Sequence, residues 1–233
     1  MTRVMLLKPQ TTHSCGYLPQ QESVSLYVDP NTPMDDFLLS QLNLNGFRRS
    51  GRSLYRPDCP TCNACTSLRI PVDRFTPKRR FRKVLKRLQH WQLHVEKPSM
   101  RWYADYAHYI YQRHADGSMY PPSEEQFQDF LIQGFDNHRF LVATEQGQFR
   151  ACLVFDVLMD GLSSVYCFYD PALTRESPGT FMILQLTRLT AALQQPHHYL
   201  GYWVPGCSKM EYKTDFQPLE QFVNGNWCSY SPG

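Results

Sequence analysis

The sequence predicts an α+β fold, and three observations support this prediction. Before residue 139 of the 233-residue chain, the clear secondary-structure signals are segments with one apolar helical face. Three short runs rich in Val, Leu, Phe and Tyr follow, with the spacing of a strand meander. A helix and another strand come next, which is the order of a parallel crossover connection. Helices, a meander and a crossover together make an α+β order.

Residues 1–75 are predicted to be rich in loops, with one helix. Thr32 is the expected N-cap, Pro33 suits the first helical position, and Gly46 is typical of a helix end. The first turn has Asp35 and Asp36, and the apolar face consists of Met34, Phe37, Leu38 and Leu42.

A strongly basic helix is predicted from Pro77 to Trp91. Its apolar side chains recur at helical spacing: Phe81, Val84, Leu85, Leu88 and Trp91. The chain has no acid between Arg74 and Arg87, so a phosphate-bearing partner is favoured over a merely solvated face. The run alone does not separate tRNA from DNA or a membrane surface. The candidate contacts are Lys78, Arg79, Arg80, Arg82, Lys83, Lys86 and Arg87.

Two further helices precede the strands. One runs from near Ser99 to His114, and the next begins at Ser123, which forms a capping box with Gln126. Asp160-Gly161 is a strong signal for a tight hairpin between two strands. The strands of the meander are predicted at Arg139–Thr144, Phe149–Met159 and Leu162–Asp170.

The C-terminal segments complete a parallel crossover. The strand ending at Asp170 and the strand starting at Tyr199 are expected to be parallel, with a helix between them. This order resembles the acyltransferase fold of the GNAT superfamily, in which two parallel strands splay apart around an acyl donor. Order alone does not fix a function. The segments are a helix at 179–194, a strand at Tyr199–Val204, a short helix near 208–213 and a strand at Leu219–Val223.

The composition is that of a globular protein without a membrane span. Hydrophobic residues make up 42% of the chain and the net charge is +3. No window approaches 18 uninterrupted apolar residues, and the apolar run at the N-terminus is too short for a secretory signal. The expected location is therefore the cytoplasm, with no membrane partner.

Four cysteines form a candidate metal site. Cys59, Cys62 and Cys65 have a double Cys-x2-Cys spacing, and Cys15 can supply a fourth thiolate. Four such ligands suit zinc, and the same spacing suits an iron–sulfur cluster. Reduced thiols with packing roles are the alternative.

Ordered sequence segments carry a family resemblance. They are Cys15–Pro19, Tyr55–Cys65, Leu68–Val72, Ser164–Pro171 and Tyr199–Lys213. Together they resemble the arginyl/leucyl-tRNA–protein transferase family, from Cys15 to about Trp227. The resemblance implies a cysteine-bearing N-terminal region followed by a GNAT-like domain. We divide the chain accordingly into residues 1–75, a basic helix and linker at 76–98, and a transferase domain at 99–233.

The resemblance also implies an activity. The donor is an aminoacyl-tRNA, with leucyl-tRNA expected, and the acceptor is a protein that begins with Asp or Glu. The product enters N-end-rule degradation. No cofactor is required, because the reaction is aminolysis of an activated ester and depends on positioning and on stabilisation of an oxyanion.

Candidate site residues lie at the ends of the two predicted parallel strands and just after them. The catalytic candidates are Tyr166, Tyr169, Asp170, Tyr202 and Glu211. An acidic acceptor needs a cation or hydrogen-bond donor. The substrate-binding candidates are Arg139, Arg175, Lys209, Tyr212 and Lys213.

Three alternatives remain at this point: an arginyl donor, an acetyl-CoA-dependent acetyltransferase and a non-catalytic metal-bound RNA-binding module. Residues 175–180 lack the second glycine of a pyrophosphate loop, and Pro178 removes one N–H donor, which disfavours acetyl-CoA. The RNA-binding alternative leaves the C-terminal half of the chain unexplained.

Overall fold

The computed structural model describes residues 4–231 and is a mixed α/β protein. Its helices are α1 (Asp36–Leu44), α2 (Arg79–Arg87), α3 (Tyr103–Arg113), α4 (Glu124–Phe127) and α5 (Pro178–Ala192). Its strands are β1 (Leu6–Leu7), β2 (His13–Ser14), β3 (Glu22–Ser23), β4 (Ser25–Val28), β5 (Arg48–Ser50), β6 (Ser53–Pro57), β7 (Thr66–Pro71), β8 (Gln92–Glu96), β9 (His138–Glu145), β10 (Gln148–Leu158), β11 (Gly161–Tyr169), β12 (His197–Trp203), β13 (Glu220–Val223) and β14 (Asn226–Ser229).

One sheet of eight strands organises the molecule, in the order β14-β13-β7-β12-β11-β10-β9-β8. β11 and β12 are parallel, whereas the other neighbours are antiparallel. The parallel pair, with α5 as its connection, confirms the predicted crossover. A smaller sheet has the order β1-β4-β6-β5.

The parallel strands separate soon after they start. β11 and β12 pair only over Gly161–Ser163 and His197–Tyr199, although β11 continues to Tyr169 and β12 to Trp203. Neighbouring strands that stop pairing leave a gap in the sheet. That gap is the cleft described below.

Helices cover both faces of the large sheet. On one face α5 and α2 bury Phe181, Met182 and Phe81 against the strands. On the other face α3 and α4 bury Tyr106 and Phe127. Burying apolar side chains on both faces is the main stabilising contribution to such a layered fold.

The first helix begins later than the sequence predicts. α1 starts at Asp36, and the carboxylate of Asp35 accepts a hydrogen bond of 2.7 Å from the backbone N–H of Leu38. Asp35, not Thr32, is therefore the N-cap, because its carboxylate satisfies a backbone donor of the first turn. Phe37 is exposed, whereas Leu38 and Leu42 are buried as expected.

The basic helix is shorter than predicted but has the expected faces. α2 covers Arg79–Arg87, and its predicted apolar residues through Trp91 are all buried. The seven candidate tRNA-binding cations are exposed. Acids from distant segments pair with two of them: Asp215 with Arg80, and Glu176 with Arg87.

The first 75 residues also contribute to the large sheet. β7 lies between β13 and β12 and pairs with both. The division at residues 75 and 98 stays a prediction.

Within residues 4–231, no helix is long and apolar enough to cross a membrane.

Candidate functional site

A cavity of about 620 Å³ opens where β11 and β12 part, and we call it the central cavity. β11 contributes Ser164 and Tyr166, and β12 contributes Gly201 and Tyr202. Lys213 lies at the same cavity, within the short 3-10 helix Glu211–Asp215. The structure thus brings together three of the predicted site residues, Tyr166, Tyr202 and Lys213.

The two tyrosines of the central cavity differ in their partners. The Tyr202 hydroxyl donates to the carbonyl of Gly46 over 2.6 Å, which ties β12 to the end of α1. The Tyr166 hydroxyl is buried and has no hydrogen-bond partner within residues 4–231. Burial raises the pKa of both phenols, so both stay protonated at neutral pH. Only the Tyr166 hydroxyl is free to meet a substrate atom.

Lys213 carries a cation into the central cavity. Its Nζ donates to the backbone carbonyl of Tyr202 over 2.5 Å. Burial, reinforced by the positive charge of Arg48, lowers the pKa of Lys213 to about 8. A lysine with such a pKa is readily neutralised just above neutral pH.

Two adjacent arginines of β5 also line the central cavity, and sequence analysis missed both. Arg49 is paired: its Nε lies 2.9 Å and 2.7 Å from the two carboxylate oxygens of Asp156. Arg48 contacts no carboxylate within the part of the chain that the structure describes. Its Nη1 donates to the carbonyls of Phe47 and Asn43. Burial lowers the pKa of the Arg48 guanidinium, although arginine remains charged at neutral pH.

A serine–histidine pair lies at the point where the strands separate. Ser164 Oγ is 2.8 Å from Nε2 of the fully buried His198, whose Nδ1 is 2.8 Å from Oγ1 of Thr187. The Thr187 hydroxyl donates its proton to the carbonyl of Ile183. It must therefore accept from Nδ1–H, which leaves Nε2 to accept from Ser164. Ser164 can then receive a hydrogen bond from a group in the central cavity.

Other catalytic candidates are engaged in local contacts. The Tyr169 ring packs edge-on against Tyr109, at a centroid distance of 4.8 Å. The Asp170 carboxylate caps the following 3-10 turn by accepting from the N–H of Ala172 over 3.0 Å. Glu211 accepts from the N–H of Gly206 over 3.2 Å. None of these three residues lines the central cavity.

Most of the predicted substrate-binding residues also lie elsewhere. Arg139 donates to the backbone carbonyls of Asp136 and His138. Lys209 is 3.8 Å from Asp116 on the surface. Arg175 and Tyr212 are exposed and do not line the central cavity. Nearness in sequence to the strand ends therefore identified few of the residues that line the central cavity.

The four predicted metal ligands surround a neighbouring cavity of about 560 Å³, the thiol cavity. Cys15, Cys59, Cys62 and Cys65 line it as free thiols. Burial, followed by the neighbouring thiols, raises the pKa of Cys65 to about 11. A metal would need thiolates. Within residues 4–231, no group of three or more His, Cys, Asp and Glu side chains is arranged to hold a metal ion.

Comparison with known proteins assigns the chain to a family. Residues 101–223 match the family described as the C terminus of arginine-tRNA-protein transferase, and residues 13–83 match the one described as its N terminus. The fold is similar to the crystal structure of FemX, with a TM-score of 0.51 and 7% identity over 91% of this chain and 84% of that chain.

Relatives similar over their full length bear one name, aspartate/glutamate leucyltransferase. The protein of Pseudomonas fluorescens is 44% identical, over 97% of this chain and 98% of its own length. The protein of Pseudomonas paraeruginosa is 45% identical, over 98% and 99%. The protein of Marinobacter nauticus is 42% identical, over 98% of both chains. This chain belongs to the arginine-tRNA-protein transferase family.

Proposed function

We propose that the protein transfers leucine from leucyl-tRNA to the N-terminal Asp or Glu of acceptor proteins and so marks them for N-end-rule degradation. The observation that carries this proposal is the 44–45% identity, over nearly the whole chain, to aspartate/glutamate leucyltransferases. We place the reaction in the cytoplasm, where charged tRNA meets newly made proteins. We also propose that the β11–β12 cleft corresponds to the acyl-donor cleft of a GNAT-like domain.

The chemistry is aminolysis of an ester. The neutral α-amine of the acceptor attacks the leucyl carbonyl carbon, a C–N bond forms, and the C–O bond to the tRNA ribose breaks. A free α-amine has a pKa of about 7.7–8.0, so a useful fraction is already neutral near pH 7.5. The amine gives up a proton and the ribose oxygen gains one, so no net acid or base is consumed.

Ser164 is our proposed contact for the attacking amine. Because its hydroxyl donates to His198, its oxygen can accept an N–H of the amine and aim the nitrogen lone pair at the ester. Burial lowers the pKa of His198 to about 3, so the imidazole is too weak a base to keep the proton. The proton therefore ends on the leaving ribose oxygen.

Ser164 is tested by kinetics with the wild type and Ser164→Ala. We expect kcat to fall about 10²-fold with little change in KM. The unfolding temperature should fall somewhat as well, because Nε2 of the buried His198 loses its donor, so kinetics are measured where both proteins are folded. An unchanged kcat would remove Ser164 from the mechanism.

Tyr166 is the predicted catalytic tyrosine that remains best placed, because its hydroxyl is unpaired at the central cavity in the described part of the chain. A phenol donor near the carbonyl can stabilise the developing oxyanion. Tyr202, whose hydroxyl is committed to Gly46, we assign to positioning β12.

The donor is the part of the proposal that needs the most direct test. Labelled leucine and arginine are supplied on their charged tRNAs to peptides that differ only in the first residue. We expect transfer of leucine to peptides beginning with Asp or Glu and little transfer to Asn or Gln. Transfer of arginine instead would agree with the description of the matched family as arginine-tRNA-protein transferase. Arginine would then replace leucine as the proposed donor.

The exposed face of α2 is our proposed contact for the tRNA. Lys83 and Lys86 lie on this face and form no ion pair within residues 4–231. Cations without an acid partner can neutralise phosphates and release bound counterions.

The shared metal of the four thiols also stays a proposal, supported by their common place at the thiol cavity. Closing such a site would need deprotonation and movement of the thiols toward one another. Metal analysis of freshly purified protein, together with alkylation of Cys15, Cys59, Cys62 and Cys65, tests it. No metal and four reactive thiols would exclude the site.

A further inference from the structure

The strongest unassigned feature of the molecule is the buried, unsatisfied edge of Arg48. This residue is only 6% exposed. Its Nε and Nη2 are buried and make no hydrogen bond to any residue from 4 to 231. These two nitrogens form one edge of the planar guanidinium, and such an edge can bind a carboxylate through two parallel hydrogen bonds.

The neighbouring arginine has a carboxylate partner within the chain. Arg49 is 7% exposed, and both carboxylate oxygens of Asp156 contact its Nε, although its Nη2 is buried without a hydrogen bond to any residue from 4 to 231. Both arginines belong to β5 and both line the central cavity. One buried guanidinium thus has a carboxylate from this chain, whereas the other has none among the described residues.

The rest of the cavity wall cannot neutralise Arg48. The residues that line the cavity include three basic ones, Arg48, Arg49 and Lys213, and one acidic one, Asp156. Because Asp156 already pairs with Arg49, Arg48 and Lys213 leave an excess of positive charge. Asn43 contributes only neutral groups, an oxygen that accepts from Arg48 and an amide that donates to Ser163. An uncompensated buried cation is costly, and an incoming anion would relieve that cost.

Arg48 lines the same cavity as Ser164 and Tyr166. Its guanidinium lies 5.4 Å and 5.8 Å from the ring centres of Tyr199 and Tyr202 on β12. Asn43 links it to Ser163, the residue before Ser164. The side chain and the α-amine of an acceptor's first residue are separated by only a few bonds, so both would enter this one cavity.

We propose that the Nε–Nη2 edge of Arg48 binds the side-chain carboxylate of the acceptor's first residue and gives the enzyme its preference for Asp and Glu. This assignment rests on the function proposed above. Both nitrogens are closed to water in the structure. A bound carboxylate would supply both nitrogens with the acceptor that they lack among the described residues.

The test compares acceptor pairs of nearly equal shape. Peptides beginning with Asp, Asn, Glu or Gln are assayed for leucine transfer by wild type, Arg48→Gln and Arg48→Lys. In Arg48→Gln we expect kcat/KM for the Asp and Glu peptides to fall by about 10² or more, as when one partner of a buried charge pair is lost. The values for Asn and Gln peptides should change far less, so the Asp-to-Asn ratio approaches one. Arg48→Lys should restore only part of that ratio, because lysine lacks the two-point edge.

Arg49→Gln is the matched control. It removes an equally buried guanidinium from the next position, but one whose carboxylate comes from this chain. We expect it to lower the unfolding temperature while the folded enzyme keeps the Asp-to-Asn ratio. A preserved ratio in Arg48→Gln would overturn the assignment, as would a ratio lost in Lys213→Met but kept in Arg48→Gln.

Calorimetry covers the case in which Arg48→Gln does not fold. Binding of Asp-Ala and Asn-Ala to wild type and to Arg48→Lys is measured without tRNA. The assignment requires that wild type prefers Asp-Ala and that Arg48→Lys loses most of the preference; equal binding of both dipeptides by wild type overturns it. If instead wild type binds Asp-Ala selectively but transfers no leucine, the proposed function fails and the carboxylate site stands.

Discussion

Two regions of this molecule are rich in positive charge, and they differ in almost every physical respect. The cations of α2 are exposed, and two of them, Arg80 and Arg87, pair with acids from elsewhere. The cations of the central cavity, Arg48, Arg49 and Lys213, are buried or partly buried. Surface charges are screened by salt over about 8–10 Å, whereas buried and partly buried charges are screened much less.

The difference shows that the number of charges does not locate a site. The long basic run of α2 dominates the sequence, yet each of its charges is individually weak because water solvates it. In the central cavity, a single buried guanidinium without a carboxylate partner should influence ligand binding more strongly than any one charge on α2. Many weak contacts suit a polyanion, and one strong contact suits a small carboxylate.

The largest effect should come from breaking the buried pair of Arg49 and Asp156. Arg49→Met leaves the Asp156 carboxylate buried without its cation, so we expect the free energy of unfolding to fall by about 3–5 kcal/mol. Arg80→Met, which breaks an exposed pair with Asp215, should cost about 0–1 kcal/mol. Denaturant unfolding of both variants measures the contrast. Equal losses would mean that burial does not separate the two regions.

An intermediate effect is expected from reversing charge on the exposed helix. Lys83→Glu together with Lys86→Glu should weaken tRNA binding by about tenfold or more. Each lost phosphate contact should reduce the slope of log K against log salt by about 0.7–0.9. Filter binding over a salt series gives both quantities, with Arg80→Gln and Arg87→Gln as the ion-paired counterparts. An unchanged slope would show that α2 is only a solvated face.

The smallest effect is a pH dependence that Lys213 should add to stability. In the folded protein burial, reinforced by the charge of Arg48, lowers the pKa of Lys213 from 10.5 to about 8. Between these two values the unfolded chain binds a proton that the folded chain has released, so stability rises with pH in that window. Relative to Lys213→Met, wild type should gain on the order of 1 kcal/mol from pH 8 to pH 10.5, because Lys213 is partly exposed and solvent screens part of the shift.

Denaturant unfolding across that pH range checks the effect as a difference between the two proteins. Lys83→Met controls for the loss of an exposed cation. Parallel curves for wild type and Lys213→Met would contradict the enclosed position assigned to Lys213.

Local sequence signals predicted the middle and end of the fold well. The Asp160-Gly161 turn and the runs beside it gave β10 and β11 to within one residue at each end. Ser123 caps α4 as the capping box predicts, by accepting from the N–H of Gln126. Such features depend on residues a few positions apart, which is why periodicity and turn chemistry reveal them.

The polar interior could not be predicted in the same way. Arg49 meets Asp156 across 107 residues of sequence, and Tyr202 meets Gly46 across 156. An arginine pair in a short segment is typical of a surface, so the buried positions of Arg48 and Arg49 have no local signal. Ser164 lay inside a recognised segment, but its partner His198 comes from another strand. The short strands β1 to β6 were not predicted either, because each has at most 5 residues, which is too few for an alternating pattern to stand out.

The position of β7 has a consequence for how the chain acquires its structure. This strand comes from the first third of the sequence, yet it lies between β12 and β13, and Arg69 contacts Tyr199 and Glu220 across 130 and 151 residues. During synthesis β7 must wait until nearly the whole chain has emerged before either neighbour is available. Such distant pairings slow folding and leave strand edges exposed in the meantime. A nascent chain that stops before residue 197 therefore lacks both partners of a central strand, and we expect it to be a substrate for chaperones or proteases.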